Sequence, residues 1–386
     1  MFDERLIEKL GRIDTPFYYY DLNILRSTLS IVRDEADRFN YKVHYAFKAN
    51  SNSRILREIR DFGFGADCVS GYEVRKALEM GFDPSKIVFA GVGKSDWEID
   101  LGIDAGIESF NVESIPELEI IDELAGKKHR IANVALRINP NVNANTHHYI
   151  TTGLEENKFG INQWDLDKVA KVLKGLRNVR FTGIHFHIGS QITDLGSFKD
   201  LCLRVNDLQK WFVSNRLYPK VINLGGGLGI DYEKPDENPI PDFKAFFGLF
   251  DEILELNSDQ EVHFELGRSM VAQCGNLISK VLYVKDGVNT KFAIVDAGMS
   301  DLIRPALYQA YHKIENLTSD EAEEKYDVVG PICESSDSFG KAVNIPKTRR
   351  GDLIAIRSAG AYGEVMASQY NLRRLPLAYY SDDGLF

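Results

Sequence analysis

Two kinds of apolar pattern alternate along the chain. Short runs apolar on both faces are separated by longer stretches whose apolar residues recur every three or four positions. Eight short runs fall at 42–47, 64–69, 86–90, 108–112, 132–139, 180–187, 220–224 and 261–265. A strand without a polar face is covered on both sides, as in a parallel sheet. The intervening stretches carry helix punctuation. Ser70-Gly71-Tyr72-Glu73 and Ser114-Ile115-Pro116-Glu117 have capping-box spacing, with Gly81 closing the first helix and Gly126 near the end of the second. Eight parallel strands alternating with helices predict a (β/α)8 barrel. A doubly wound open sheet is the competitor. It calls for a glycine-rich turn after the first strand, and Lys48-Ala49-Asn50-Ser51 is not one.

The pattern changes at both ends. Thr15–Tyr20 reads as a short strand, followed by a helix capped by Asp21 or Asn23 and running through Leu25, Leu29, Val32 and Phe39. After Arg268 come strand-like segments at Leu277–Val284, Phe292–Val295, Tyr326–Val329 and Asp352–Ile356, with an acidic helix expected from about Ser319 to Lys325. The expected division is a barrel over 22–266 and a β-rich domain over 267–386, joined by residues 1–21.

Composition narrows the classes. Of 386 residues, 44% are hydrophobic, enough for a large core, and the net charge of −11 disfavours nucleic acid or a membrane surface as partner. Cys68, Cys202, Cys274 and Cys333 form no CxxC pair and read as reduced thiols of a cytoplasmic protein. Met1–Leu10 is charged and lacks an apolar signal core, and no run approaches the ~18 apolar residues of a membrane span.

Barrel enzymes place their chemistry at the C-terminal ends of the strands, where this chain concentrates its polar residues. Val43-His44-Tyr45-Ala46-Phe47-Lys48 ends in a lysine, and in a dry strand end an amine is kept nucleophilic, ready for a Schiff base. Asp67 ends the second strand, and Arg137 lies in the fifth. His185-Phe186-His187-Ile188-Gly189-Ser190-Gln191 ends the sixth, Gly225-Gly226-Gly227 the seventh, and Glu265-Leu266-Gly267-Arg268 the eighth. The loops after strands 7 and 8 are the usual phosphate site of such barrels. Glycines let backbone N–H groups approach an anion, and Arg268 and Ser190 add donors. A lysine, a phosphate cradle and the carboxylate of Glu265 suit pyridoxal phosphate. Its aldehyde takes an amine, and its ring nitrogen needs an acid to stay protonated. His187 is placed flat against the ring. A rival reading gives His185, His187, His263 and Glu265 to zinc. It leaves Lys48 and the glycines unexplained, so no metal is assigned, and His185 and His263 read as satisfied core residues.

Eight stretches share a family pattern in order: Tyr45–Asn50, Asn157–Gly160, His185–Gln191, Gly225–Gly227, Glu265–Arg268, Arg304–Tyr308, Gly330–Ser335 and Gly360–Gly363. On them the chain resembles the fold-type III pyridoxal-phosphate decarboxylases, and most closely the bacterial diaminopimelate decarboxylase family. The resemblance implies that Lys48 carries the cofactor, His187 stacks on it and Glu265 faces its ring nitrogen. Ser190, Gly226, Gly227, Gly267, Arg268 and Tyr362 would meet the phosphate or the adjoining substrate region. Arg304 and Tyr308 would hold the far carboxylate of the substrate. Cys333, as proton donor, and Glu334 would enter from the second subunit of a homodimer. The implied reaction is decarboxylation of meso-2,6-diaminopimelate to L-lysine and carbon dioxide, the last step of lysine biosynthesis. An ornithine or lysine decarboxylase and a non-catalytic pyridoxal-phosphate carrier are the alternatives. The family's Glu-Pro-Gly-Arg is Glu265-Leu266-Gly267-Arg268 here, and its Ser-Asn-Tyr-Asn is Ser368-Gln369-Tyr370-Asn371. The chain stops soon after Tyr380, earlier than many members, so a short final strand is expected to be missing.

Overall fold

The computed structural model describes residues 2–142 and 158–384. The chain divides into two compact units, one formed by 29–229 with 242–267, the other by 1–28, 230–241 and 268–386. The second unit thus takes the beginning of the helix Leu22–Asp37 and the segment 230–241, both assigned to the barrel from sequence.

The strands are numbered in chain order. In the first unit they are β2 (Lys42–Ala46), β3 (Gly65–Cys68), β4 (Ile87–Phe89), β5 (Ser109–Val112), β6 (Ala132–Arg137), β7 (Val179–His185), β8 (Val221–Asn223) and β9 (Glu261–Leu266). They form a closed barrel in sequential order, every neighbouring pair parallel, and β2 closes on β9 with His44 opposite Glu265. All eight expected strands are present, each within two residues of its expected limits.

The helices between them follow local chemistry. Ser70 accepts the Glu73 N–H and Ser114 accepts the Glu117 N–H. Neither Glu returns to its cap as in a full box. Glu73 accepts from the Val69 N–H and Glu117 from the Glu113 N–H, one residue earlier. At Asp21 the side chain accepts from the N–H groups of Asn23 and Ile24, so Asp21 rather than Asn23 is the cap, and Phe39 lies beyond the helix end.

The second unit is built on β10 (Gly275–Asp286). Its first half pairs antiparallel with β1 (Phe17–Tyr20) and β15 (Leu353–Ile356), its second half with β11 (Lys291–Val295). β12 (Ile314–Asn316), β13 (Glu323–Val329), β14 (Ser338–Pro346) and β16 (Leu377–Tyr380) complete the sheet, with β16 parallel to β1. The acidic helix expected from Ser319 to Lys325 is absent. Residues 319–322 form a loop, and Glu323–Lys325 open β13 opposite Asn344–Pro346 of β14. The pairing and the Lys291–Glu324 ion pair, 2.6 Å, override the helix propensity of the acidic run.

Candidate active site

Lys48 lies in a single 3₁₀ turn, Phe47–Ala49, directly after β2. Its side chain is 39% exposed, so the strand end is not the dry environment expected from sequence. Nζ lies 3.5 Å from Oδ2 of Asp67, which is 1% exposed at the matching level of β3. Burial and the charge of Glu265 push the Asp67 carboxyl up to about 6, against the pull of the lysine.

Glu265 is held by three side-chain partners. Its Oε1 accepts from Nδ2 of Asn111 and Nδ2 of Asn223, each at 2.8 Å, and its Oε2 lies 2.8 Å from His185 Nε2. Burial opposes ionisation here. The charge and hydrogen bond of His185 and the charge of Lys48 outweigh it and hold this carboxyl well below its usual range. Asn111 and Asn223 were missed in the sequence. The available signal was an amide inside an otherwise apolar strand, Phe110-Asn111-Val112 and Ile222-Asn223-Leu224. His185, read as a satisfied core residue, holds the acid through Nε2 while its Nδ1 has no hydrogen-bond partner.

His187 follows β7. Burial, then Lys48 and Arg137, push its imidazole far below the usual value, so the ring is neutral. Its Nδ1 accepts the Gly226 N–H at 3.4 Å, which puts the ring proton on Nε2. Ser190 is half-buried in the same loop. The glycines after β8 are constrained by their neighbours. A Cβ on Gly225 would stand 2.2 Å from the Phe186 carbonyl oxygen, and one on Gly226 2.0 Å from that of Glu265. Gly227 has φ +113°. Only glycine permits this close approach and this backbone. At Gly267 the nearest atoms to a Cβ are those of Ala49 and Ala46, at 3.0 and 3.1 Å. Leu266, where the family has proline, is fully buried and continues β9 opposite Tyr45. Arg137 is taken up by a buried ion pair with Glu113, 2.6 Å, whose other oxygen accepts the Gly160 N–H. Of the motif Asn157–Gly160, Asn157 lies outside the described residues.

The second unit holds the remaining candidates in two groups. Arg268 donates from Nη1 to the Tyr232 hydroxyl at 2.6 Å, and its guanidinium lies over the Tyr362 ring at 4.9 Å. Arg304, in the short helix Arg304–Tyr308, lies over the Tyr232 ring at 5.1 Å and donates from Nη1 to His312 Nε2 at 2.7 Å. His312 in turn donates from Nδ1 to the Arg357 carbonyl, and burial followed by the Arg304 charge pushes it down to about 3. Arg304 is therefore a buried cation whose direct partners, His312 and Tyr232, are neutral, with Tyr308 half-buried on the same helix turn. Tyr232 was also missed. Burial pushes its phenol up, but the two guanidiniums bring it below the usual value. Such a pair of cations suits an anion.

Cys333 and Glu334 form the other group, in an exposed turn between β13 and β14. The Cys333 N–H donates to Asn371 Oδ1 at 3.2 Å, and the Tyr370 hydroxyl donates to Glu334 Oε1 at 2.5 Å. The segment Ser368–Asn371 thus steadies this turn, and nothing in the structure explains Gln369.

A lysine at the end of the first barrel strand, an ionised acid at the end of the last and a β-rich unit following them define a fold-type III pyridoxal enzyme. Comparison with known proteins agrees. The pyridoxal-binding domain of the pyridoxal-dependent decarboxylases matches residues 24–272. A diaminopimelate decarboxylase of Bacteroides thetaiotaomicron is 61% identical over 378 residues, 98% of this chain and 98% of its own. The crystal structure of the Helicobacter pylori diaminopimelate decarboxylase complexed with L-lysine superposes with a TM-score of 0.91 at 39% identity, covering 97% of this chain and 94% of that one. The M. jannaschii enzyme in complex with L-lysine gives 0.89 at 37%, covering 97% and 89%. The chain belongs to the pyridoxal-dependent decarboxylase family and, within it, to the diaminopimelate decarboxylases.

Proposed function

We propose that the protein uses pyridoxal phosphate to decarboxylate meso-2,6-diaminopimelate to L-lysine and carbon dioxide, the last step of lysine biosynthesis. The observation that carries this reading is the barrel mouth. Lys48 lies beside buried Asp67, and Glu265 is held ionised by three converging donors. These groups fit the cofactor: an amine for its aldehyde, a fixed anion for its ring nitrogen, and glycine backbone that no side chain can fill. Bound there, pyridoxal phosphate supplies the sink for the electron pair left by the departing carboxylate. Lys48 would hold it through its Nζ amine, the nucleophile placed beside Asp67. Glu265 keeps a proton on the ring nitrogen because its own charge is locked in place. His187, neutral, presents an uncharged face for stacking.

By the family resemblance, Ser190, Gly226, Gly227, Gly267, Arg268 and Tyr362 would hold the phosphate or the adjoining substrate, and Arg304 and Tyr308 the distal carboxylate. The Cys333–Glu334 turn belongs, in this reading, to the site of a second copy in a homodimer. Cys333 Sγ there returns a proton to the substrate carbon. Lysine lacks the distal carboxylate that the buried Arg304 cation is suited to grip, which favours diaminopimelate over the lysine and ornithine alternatives. The reaction is assigned to the cytoplasm. No helix among the described residues is long and apolar enough to cross a membrane.

Carbon dioxide release from meso-diaminopimelate, lysine and ornithine, side by side, tests the assignment. Release from meso-diaminopimelate alone is expected. Release from lysine or ornithine with none from meso-diaminopimelate would reject it.

A further inference from the structure

The N-terminal end of the barrel carries a second polar cluster that the decarboxylation does not use. His44 lies in β2, His263 in β9, and Glu108 immediately before β5. Both rings are buried, at 2% and 1% exposure, while the Glu108 side chain is 20% exposed. Each ring has one nitrogen whose role its partner decides. His44 Nδ1 lies 3.2 Å from the carbonyl oxygen of Lys86, which can only accept, so Nδ1 carries the hydrogen. His263 Nε2 lies 3.4 Å from Glu261 Oε2, which also accepts, so Nε2 carries the hydrogen. In neutral rings the other two nitrogens, His44 Nε2 and His263 Nδ1, are then bare lone pairs. They face each other at 3.1 Å. Two lone pairs at that distance repel unless a cation lies between them. The Glu108 carboxylate closes a third side, 3.7 Å from each nitrogen.

We propose that His44, Glu108 and His263 bind a first-row divalent transition metal of the zinc class at the base of the barrel. One ligand atom from each of the three lies within 4.8 Å of the others. Zinc bonds of about 2.0–2.1 Å at tetrahedral angles set ligand atoms roughly 3.3 Å apart, and the separations of 3.1 and 3.7 Å bracket that value. Two imidazoles and a carboxylate select zinc over calcium or magnesium, which prefer all-oxygen sets. The outer hydrogen bonds, to a backbone carbonyl and to a carboxylate, are those that fix the tautomer of metal-bound histidines. Glu108 borders two open cavities, of about 370 and 620 Å³, which give an ion a route in and leave a fourth position for water. The metal joins β2 to β9, where the barrel closes, and both to the start of β5. Its role is therefore to staple the barrel, in keeping with the stabilising role of this face in such folds.

The test uses the holoenzyme, stripped with a chelator and titrated with Zn²⁺ and Co²⁺. The wild type is expected to bind one metal per chain at micromolar or lower free metal. Cobalt should show the intense visible bands of a tetrahedral site, and zinc should raise the thermal unfolding midpoint. Glu261→Gln should weaken cobalt binding about 10–100-fold through the outer hydrogen bond alone. His263→Gln and Glu108→Gln should each abolish it, and Glu108, at the cavity border, is the variant to rely on if the buried His263 change prevents folding. A wild type that binds no metal would assign the cluster a shared proton and overturn the proposal. So would a folded Glu108→Gln protein that binds as tightly as the wild type.

Discussion

Replacing Glu265 by Gln keeps shape and removes charge. Two amide donors, from Asn111 and Asn223, converge on Oε1, so the glutamine oxygen must take that place. Its NH₂ then faces His185 Nε2. Since His185 Nδ1 has no hydrogen-bond partner, the imidazole proton can move there and Nε2 can accept. Geometry therefore survives. Three hydrogen bonds to an anion, at about 1.5–3 kcal/mol each, become neutral ones at about 0.5–1.5, a loss of roughly 3 kcal/mol. Relief from burying a charge offsets part of this, so urea unfolding should show a loss of only about 1–3 kcal/mol. The effect on activity is larger. A unit charge pair 4 Å apart at an effective dielectric of 20 is worth about 4 kcal/mol. At 1.36 kcal/mol per tenfold, kcat/KM for carbon dioxide release should fall about 10³-fold. A folded, cofactor-loaded Glu265→Gln enzyme that keeps more than a tenth of wild-type kcat/KM would refute the assigned role of the charge.

Arg304→Ala should lower kcat/KM for meso-diaminopimelate about 30-fold or more, as expected for leaving one partner of a buried charge pair alone, ~2–5 kcal/mol, while the cofactor absorbance stays unchanged. Near-wild-type kinetics would remove Arg304 from substrate recognition. Inactive Lys48→Ala and Cys333→Ala chains, once mixed, should regain part of the activity if two copies share each site. Proven subunit exchange without recovery would count against sharing. Burial pushes the Glu73 carboxyl up to about 7. A raised folded-state value means stability present at low pH and lost as pH rises toward 7. Glu73→Gln should accordingly flatten the decline between pH 5 and 8 and gain up to about 3 kcal/mol at pH 8 in urea unfolding, leaving below pH 6 the slope that Asp67 contributes. An unchanged slope would mean that Glu73 titrates normally.

The barrel was legible because its strands are short and apolar on both faces, a pattern that few other arrangements explain. The β-rich unit was harder to read. Glu321–Lys325 has the composition of an exposed helix, and only pairing with β14 makes its last three residues a strand. Lys48 and Glu265 could be found because each ends a strand and is chemically out of place there. Asn111 and Asn223 stand out in the sequence only as amides inside apolar strands, and that they and His185 reach Glu265 follows only once β5, β7, β8 and β9 close into a ring. The same holds for His44 and His263, 219 positions apart. Tyr232, between two guanidiniums, lies in a segment that sequence reading gave to the barrel.

Lys48 is the residue on which the chemistry of the barrel mouth turns, and borohydride reduction of the cofactor-loaded protein tests its role directly. Reduction should fix the cofactor covalently, and mass spectrometry of the digested protein should find the added mass on the peptide carrying Lys48 and on no other. The Lys48→Ala protein should take no label. A label on a different lysine, or equal labelling of the Lys48→Ala protein, would contradict the assignment of the barrel mouth as the cofactor site.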